Sequence, residues 1–277
     1  MIVWVSSYPK SGNTWVRTFI STYYLSKNDK FNFSMLKNIR QFPHEKFFDK
    51  KISDIKSAIT NWDSAQNNIN QKNKLIFLKT HAALVKINNI SFTNNKHTLG
   101  AIYIIRDPRN VVTSLANHYQ LTFDESLEFM TNKKKFLLKK NDPSNFGNFT
   151  FLNSWSEHYK SWLYTKQFNL LFIKYEDLEN DTFNTFKKIV EFLNKIMKKK
   201  EKIDSNRLIK IIDAVSFETL KKKENDEGFP EAVVNNEKQK INFFYLGKEN
   251  KWQNLLSPKQ INTTNNIFND DLKKLGY

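Results

Sequence analysis

Three short stretches hold side chains whose types and spacing could do chemistry. The first is Ser7-Tyr8-Pro9-Lys10-Ser11-Gly12-Asn13-Thr14-Trp15, a lysine in a loop with one glycine and several short polar groups. The second is Lys79-Thr80-His81. The third is Arg106-Asp107-Pro108-Arg109-Asn110, with Ser114 eight residues beyond Arg106. Lysine and guanidinium groups attract anions, and the guanidinium fork suits phosphate oxygens. An imidazole beside them can take a proton near neutral pH. Such a set suits an anion of the phosphate type, held while a neighbouring hydroxyl or amine loses its proton.

These side chains need elements that bring them together. Ile2-Val3-Trp4-Val5 reads as a short buried strand, being β-branched, aromatic and uncharged. After the loop, Trp15, Val16, Phe19, Ile20, Tyr23 and Tyr24 recur at helical spacing. A helix that starts at a loop leaves its first N–H groups unpaired, and the dipole adds positive potential there. The strand–loop–helix unit is therefore an anion site in its own right. Ser11, Asn13 and Thr14 add donors, and Gly12 lets the backbone approach the anion closely.

Leu75–Leu78 and Gly100–Ile105 read as further strands, ending at Lys79-Thr80-His81 and at Arg106. In a parallel sheet such ends converge on one crevice, where ligands bind. A helix with Val111, Val112, Leu115, Ala116 and Tyr119 on one face follows the third strand and places Ser114 in its second turn. Leu170–Ile173 is a fourth strand, running into Lys174-Tyr175-Glu176-Asp177-Leu178. Trp155–Tyr164, Phe183–Leu193, Arg207–Val215 and a segment from Pro258 to about Lys274 read as helices. The pattern predicts an α/β fold: one domain over residues 1–277, with a central parallel β-sheet flanked by helices in three layers.

The first loop is close to the Walker pattern but departs from it. Its first glycine is missing, Asn13 stands at the lysine position, and the lysine lies three residues upstream at Lys10. Tyr-Pro-Lys-Ser-Gly-Asn-Thr-Trp instead resembles the 5′-phosphosulfate loop of the sulfotransferases that use 3′-phosphoadenosine 5′-phosphosulfate (PAPS). Lys79-Thr80-His81 is similar to the motif that carries the catalytic histidine in that family. Arg106 and Ser114 resemble its ligands for the 3′-phosphate, with Arg109 left as a structural or lip residue. Tyr175-Glu176-Asp177-Leu178 and Ser216-Phe217-Glu218-Thr219-Leu220 resemble two further blocks. There the tyrosine touches the adenosine, and the phenylalanine faces adenine opposite the loop tryptophan, here Trp15.

A last block, Tyr245-Leu246-Gly247-Lys248-Glu249-Asn250-Lys251-Trp252, resembles the family pattern Arg-x-Gly-x-x-Gly-x-Trp with two departures. Tyr245 replaces the arginine, and Asn250, which tolerates positive φ, replaces the second glycine. Lys248, Lys251 and Lys240 are candidates to compensate for the lost cation. The resemblance spans residues 2–256 and implies a P-loop sulfotransferase fold, PAPS as donor and PAP as product. By it His81 is the base, Lys10 and Lys79 stabilise the transferring group, and Lys10 to Trp15, Arg106, Ser114, Tyr175, Ser216, Phe217, Gly247 and Lys248 contact the nucleotide. No metal is required. The rival readings are a P-loop kinase using ATP and Mg²⁺, and a non-catalytic module binding PAP or a polyanion.

Composition sets outer limits. There is no cysteine in the 277 residues, so disulfides, zinc–thiolate sites and cysteine nucleophiles are excluded. No apolar run approaches the roughly 20 residues of a membrane helix, and the first strand begins at residue 2, which predicts a cytoplasmic protein without a leader. The formal charge is +16, yet only five of 44 basic residues are arginine, and the lysines fall in scattered runs such as Lys133-Lys134-Lys135. That distribution predicts solvated surface charge, with no nucleic acid as partner. His44, His97, His118 and His158 have no motif around them and read as structural or surface residues. Residues 26–73 and 120–152 carry the acceptor pocket in this reading. The first is expected to form short helices, one with Ile55, Ala58, Ile59 and Trp62 on a face, and the second a mobile loop. The acceptor, a small molecule, lipid or glycan, and the oligomeric state are not readable.

Overall fold

The computed structural model describes residues 1–71, 74–139, 142–234 and 240–277, with the side chains of Val233, Val234 and Lys240 left aside. Five strands make one parallel sheet: β1 (Ile2–Ser7), β2 (Arg40–Gln41), β3 (Ile76–Thr80), β4 (Thr98–Ile105) and β5 (Asn169–Lys174). Their order across the sheet is β2-β3-β1-β4-β5. The central β1 pairs with β3 from Ile2↔Ile76 to Ser6↔Thr80, and with β4 from Val3↔Gly100 to Ser7↔Ile104. In this register the carboxyl ends of β1, β3 and β4 lie side by side, and those ends carry the three motifs.

All of β1 is buried, as a parallel strand covered on both faces must be. Its side chains alternate between two cores. Ile2 and Trp4 join Leu78, Ala101 and Tyr103 on one face, under the helices Trp155–Leu163 and Pro258–Leu275. Val3 and Val5 join Phe77, Ile102 and Ile104 on the other, under Asn13–Ile20 and Thr182–Ile196. The result is a three-layer α/β fold, as the strand and helix periods predict. The first helix runs on through a π-type turn, Ser21–Leu25, before the chain leaves it.

Two expectations need correction. Asp54 to Trp62 is not one helix: Ile55–Thr60 and Trp62–Asn70 are separate, broken at Asn61 (φ −99°, ψ 4°), and Ile55 is exposed. Residues 120–152 are more ordered than a loop. Thr122 and Glu125 form a capping box that starts the helix Phe123–Thr131, whose Leu127, Phe129 and Met130 are buried. Phe136–Leu137 and Thr150–Phe151 then pair as a small antiparallel ladder. The Thr-x-x-Glu signature before an apolar run was present in the sequence.

The last long helix is pinned to the sheet layer by one buried carboxylate. Asp271 accepts hydrogen bonds from Tyr159 Oη at 2.6 Å and Ser156 Oγ, and pairs with Lys160 at 2.7 Å. Burial pushes this carboxyl up, but those three donors together hold it below its ordinary value. Asp271→Ala leaves the buried Tyr159 hydroxyl without an acceptor and should cost about 1–3 kcal/mol. Equilibrium denaturant unfolding checks this; an unchanged midpoint would show that the carboxylate does not anchor the helix.

Candidate active site

A cavity of about 780 Å³ opens at the carboxyl edge of the sheet. Lys10, Gly12, Asn13, Thr14 and Trp15 line it from the first loop, Lys79 and His81 from the end of β3, and Arg106 and Ser114 from the end of β4 and its helix. Tyr175, Phe217 and Gly247 line it as well, while Ser11, expected among the nucleotide contacts, lies buried behind the wall.

Local geometry explains the loop. Lys10 and Gly12 both have positive φ, 65° and 94°. A Cβ at Gly12 would lie 2.4 Å from the Tyr175 ring, so only glycine lets loop and tyrosine meet. The N–H groups of Gly12, Asn13 and Thr14, at the start of the Asn13–Ile20 helix, have no partner among the described residues. Several buried side-chain atoms there are likewise unpaired: Ser11 Oγ, Asn13 Oδ1, Trp15 Nε1 and Arg106 Nε. Buried polar groups are almost always satisfied, so this cluster is a cradle shaped for a polar, anionic guest. Asn13 turns its amide to the Val5 carbonyl at 3.0 Å, away from the role a Walker lysine would have.

Arg106 sits over the Tyr175 ring at 4.0 Å and donates through Nη1 to the Lys10 carbonyl and to Ser114 Oγ, both at 3.2 Å. Asn250 was expected at positive φ, but its φ is −76°. Its amide instead donates to Ser114 Oγ at 3.0 Å, while its carbonyl oxygen accepts from Thr113 at 2.8 Å. Asn250 thus belongs to the Arg106–Ser114 cluster, which the pattern-based reading missed. Arg109 is engaged elsewhere, with Asp107 at 2.7 Å and the Trp252 ring at 4.1 Å, and is structural.

His81 is held in one tautomer. Its Nδ1 lies 2.7 Å from the Ser7 carbonyl oxygen, which can only accept, so Nδ1 carries the proton and Nε2 keeps its lone pair. Burial and the Lys79 charge push the imidazole well below its usual pKa, leaving it neutral at pH 7. His158, buried, donates from Nε2 to the His81 carbonyl at 3.0 Å and accepts from Tyr103 Oη at 2.8 Å, fixing the backbone that carries His81.

The cations are balanced by a residue no motif announced. Glu231 pairs with Lys79 at 3.2 Å and with the buried Arg17 at 2.6 Å. Burial favours its neutral form, but Lys79 and Arg17 overcome this and hold the carboxyl well below the usual range. Lys10 has no carboxylate partner among the described residues; its Nζ lies 4.0 Å over the Phe243 ring. Burial, then the charges of Arg106 and Lys79, push Lys10 down to about 7.

Some expected residues fall outside the cavity. Ser216 caps the helix Phe217–Glu227, accepting from the Thr219 N–H, and does not line the wall. Lys248 and Lys251 are exposed and line no part of it, and the Lys240 side chain lies outside the described residues. Tyr245 lines the cavity at 50% exposure without supplying a cation. Gly247, at φ 55°, packs against Phe217, whose ring a Cβ would meet at 2.5 Å. Two histidines read as structural or surface residues, His44 and His118, line the same cavity as His81.

Comparison with known proteins agrees with this geometry. The sulfotransferase domain family matches residues 2–276, and the chain belongs to that family. It is 27% identical over 225 residues to the luciferin sulfotransferase of Photinus pyralis, covering 78% of this chain and 56% of that protein. It is 24% identical to the cytosolic sulfotransferase 17 of Arabidopsis thaliana, over 99% of this chain and 75% of that one. The chain thus spans little more than half the length of some relatives it matches. Among solved structures, retinol dehydratase in complex with retinol and PAP superposes with a TM-score of 0.62 at 18% identity, covering 98% of this chain and 81% of that one. Mouse sulfotransferase SULT7A1 complexed with PAP gives 0.56 at 20% identity, over 98% and 83%. At these identities the superpositions establish the fold. Among the described residues no helix is long and apolar enough to cross a membrane.

Lys10 titrating near 7 has a direct consequence. Below that pH the amine is protonated; above it, it becomes nucleophilic while ordinary lysines, near 10.4, stay charged. An amine-selective acylating reagent at pH 7.5 should modify Lys10 ahead of exposed lysines such as Lys27 and Lys50, with the preference fading at pH 6. Peptide mapping by mass spectrometry reads this; Lys10 reacting only above pH 9 would contradict it.

Proposed function

We propose that the protein transfers a sulfuryl group from PAPS to a hydroxyl or amine of an acceptor, releasing PAP. The observation that carries the reading is the convergence, in one cavity, of unpaired loop N–H groups, Lys10, the Arg106–Ser114 pair and a neutral His81 with a free Nε2. It is supported by family membership and by relatives crystallised with PAP. Residues 1–277 act as one sulfotransferase domain in this reading. A cytoplasmic location is supported by a relative named as cytosolic.

The loop N–H groups, those of Gly12, Asn13 and Thr14 among them, and the Ser11 and Thr14 hydroxyls bind the 5′-phosphate. Arg106 and Ser114, steadied by Asn250, bind the 3′-phosphate. Trp15, Tyr175 and Phe217 supply ring surface for the adenosine, and Gly247 lets Phe217 approach the chain. Ser216 acts indirectly, by starting the helix that holds Phe217. His81 takes the acceptor proton at Nε2 as the acceptor oxygen or nitrogen bonds to sulfur. Lys10 stabilises the bridging oxygen that keeps the electron pair when the sulfur–oxygen bond breaks. Lys79 faces the equatorial oxygens of the group in transit, its position held by Glu231. The charge is carried by lysine and arginine, so the scheme requires no metal. A kinase reading is opposed by Asn13, whose amide is committed to the strand carbonyl of Val5.

His81→Ala should lower kcat by about 10²–10⁴-fold with PAP affinity kept. Lys10→Ala should lower turnover by about 10²–10³-fold even at saturating PAPS. Radiolabelled sulfuryl transfer from PAPS to a panel of phenols, alcohols and amines, with PAP titration alongside, tests both. Near-normal turnover of His81→Ala would remove it as the base. A Lys10→Ala defect confined to PAPS affinity would remove that lysine from the transition state.

A further inference from the structure

Besides His81, two imidazoles face the cavity, and neither belongs to the nucleotide cradle. His118 closes the Pro108–Tyr119 helix. Its ring stands edge-on to Tyr119 and Phe243, with centroids 4.8 and 5.9 Å away. It makes no hydrogen bond among the described residues, so two ring nitrogens, a donor and an acceptor, are left for a ligand. Phe243, which it meets, is also the ring under Lys10 Nζ at 4.0 Å, so His118 stands one ring away from that lysine. His44 is half-buried on the opposite chain segment, after β2. Its Nδ1 accepts from the Lys46 N–H at 3.1 Å, so its Nε2 carries the proton, a donor without a partner among the described residues. The wall around them is largely apolar, with Phe123, Leu137, Leu138, Leu246 and Leu256.

We propose that His118 and His44 are specificity-determining residues that hydrogen-bond hydroxyl groups of the acceptor other than the one attacked, so that the acceptor is a polyhydric compound on an apolar frame. The inference rests on the reading of this cavity as a sulfuryl-transfer site. In a largely apolar wall, two half-buried imidazoles that line the cavity are polar groups placed where they can orient a ligand. A hydroxyl, both donor and acceptor, fits what the geometry leaves among the described residues: a donor on His44, and a donor and an acceptor on His118. Burial, with Lys10 and Lys79, pushes His118 down to about 3, and burial lowers His44 as well. A neutral imidazole offers one donor and one acceptor, the pair that a hydroxyl matches. A site built to bond such a group rejects an analogue that lacks it, because the site's own polar atoms are then left unpaired.

The test compares matched acceptors with PAPS as donor: 2,3-dihydroxynaphthalene against 2-naphthol, and octyl β-glucoside against octan-1-ol. The wild-type protein should favour the polyhydric member of at least one pair by about tenfold or more in kcat/KM. His118→Phe, which keeps the ring and removes both nitrogens, should reduce that ratio toward one, and His44→Phe should reduce it in part. His118→Gln, which restores a donor and an acceptor, should recover much of it. PAP affinity, measured by calorimetry on every variant, should stay within about twofold of wild type, which separates lost recognition from lost folding. A wild-type preference for the monohydric partners, or a ratio that survives His118→Phe, would overturn the proposal. So would failure to use either polyhydric probe while PAP still binds. Absence of PAP binding in the wild type would instead overturn the donor reading on which it rests.

Discussion

The constraint on which this structure depends is the gathering of positive charge at one edge of a parallel sheet. Lys10, Lys79 and Arg106 all leave the carboxyl ends of neighbouring strands or the loop after β1, and Arg17 lies buried beneath them. Like charges packed this closely repel, and burial makes each more costly. The chain meets part of that cost with Glu231, which serves Lys79 and Arg17 together. It leaves the rest unmet at Lys10, Arg106 and the loop N–H groups. In the proposed function a bound polyanionic donor would complete that balance.

The same arrangement sets protonation states. Lys79 and burial keep His81 neutral, while the Ser7 carbonyl fixes the proton on Nδ1. In the proposed reaction His81 would therefore be ready as base before the acceptor arrives. His158 and Tyr103 extend this control inward, holding the His81 carbonyl from beneath. Electrostatic preorganisation of this kind works because the fold, not the ligand, bears the cost of assembling the charges.

Much of this was legible in the sequence because strand ends announce themselves. An apolar run that stops before the Lys10 loop, at Lys79 and His81, or at Arg106 names both an element and the edge at which its side chains emerge. The alternation of Ile2 and Trp4 against Val3 and Val5 likewise gave two covered faces. What stayed hidden lacked local pattern. Glu231 follows Phe229-Pro230 in a segment without periodicity, and only tertiary contact joins it to Lys79, 152 residues away. His118 sits in an ordinary helical stretch, and nothing in its neighbours says which way the ring turns. Asn250 was legible as a substitution but misread as a backbone device, when its side chain does the bonding. Tyr245 leaves the lost arginine unreplaced among the described residues, so the 3′-phosphate would rest on Arg106 and Ser114, with Asn250 holding Ser114 in place.

The claim that this edge is a site for a nucleotide with both 3′- and 5′-phosphates is tested most directly by calorimetric titration of the wild-type protein with PAP, ADP and ATP–Mg²⁺ in parallel. Micromolar PAP binding that far exceeds the binding of ADP is expected, because ADP carries no 3′-phosphate for Arg106 and Ser114 to hold. Binding of ATP–Mg²⁺ with no preference for PAP would contradict it, and would make the cavity a site for a different donor.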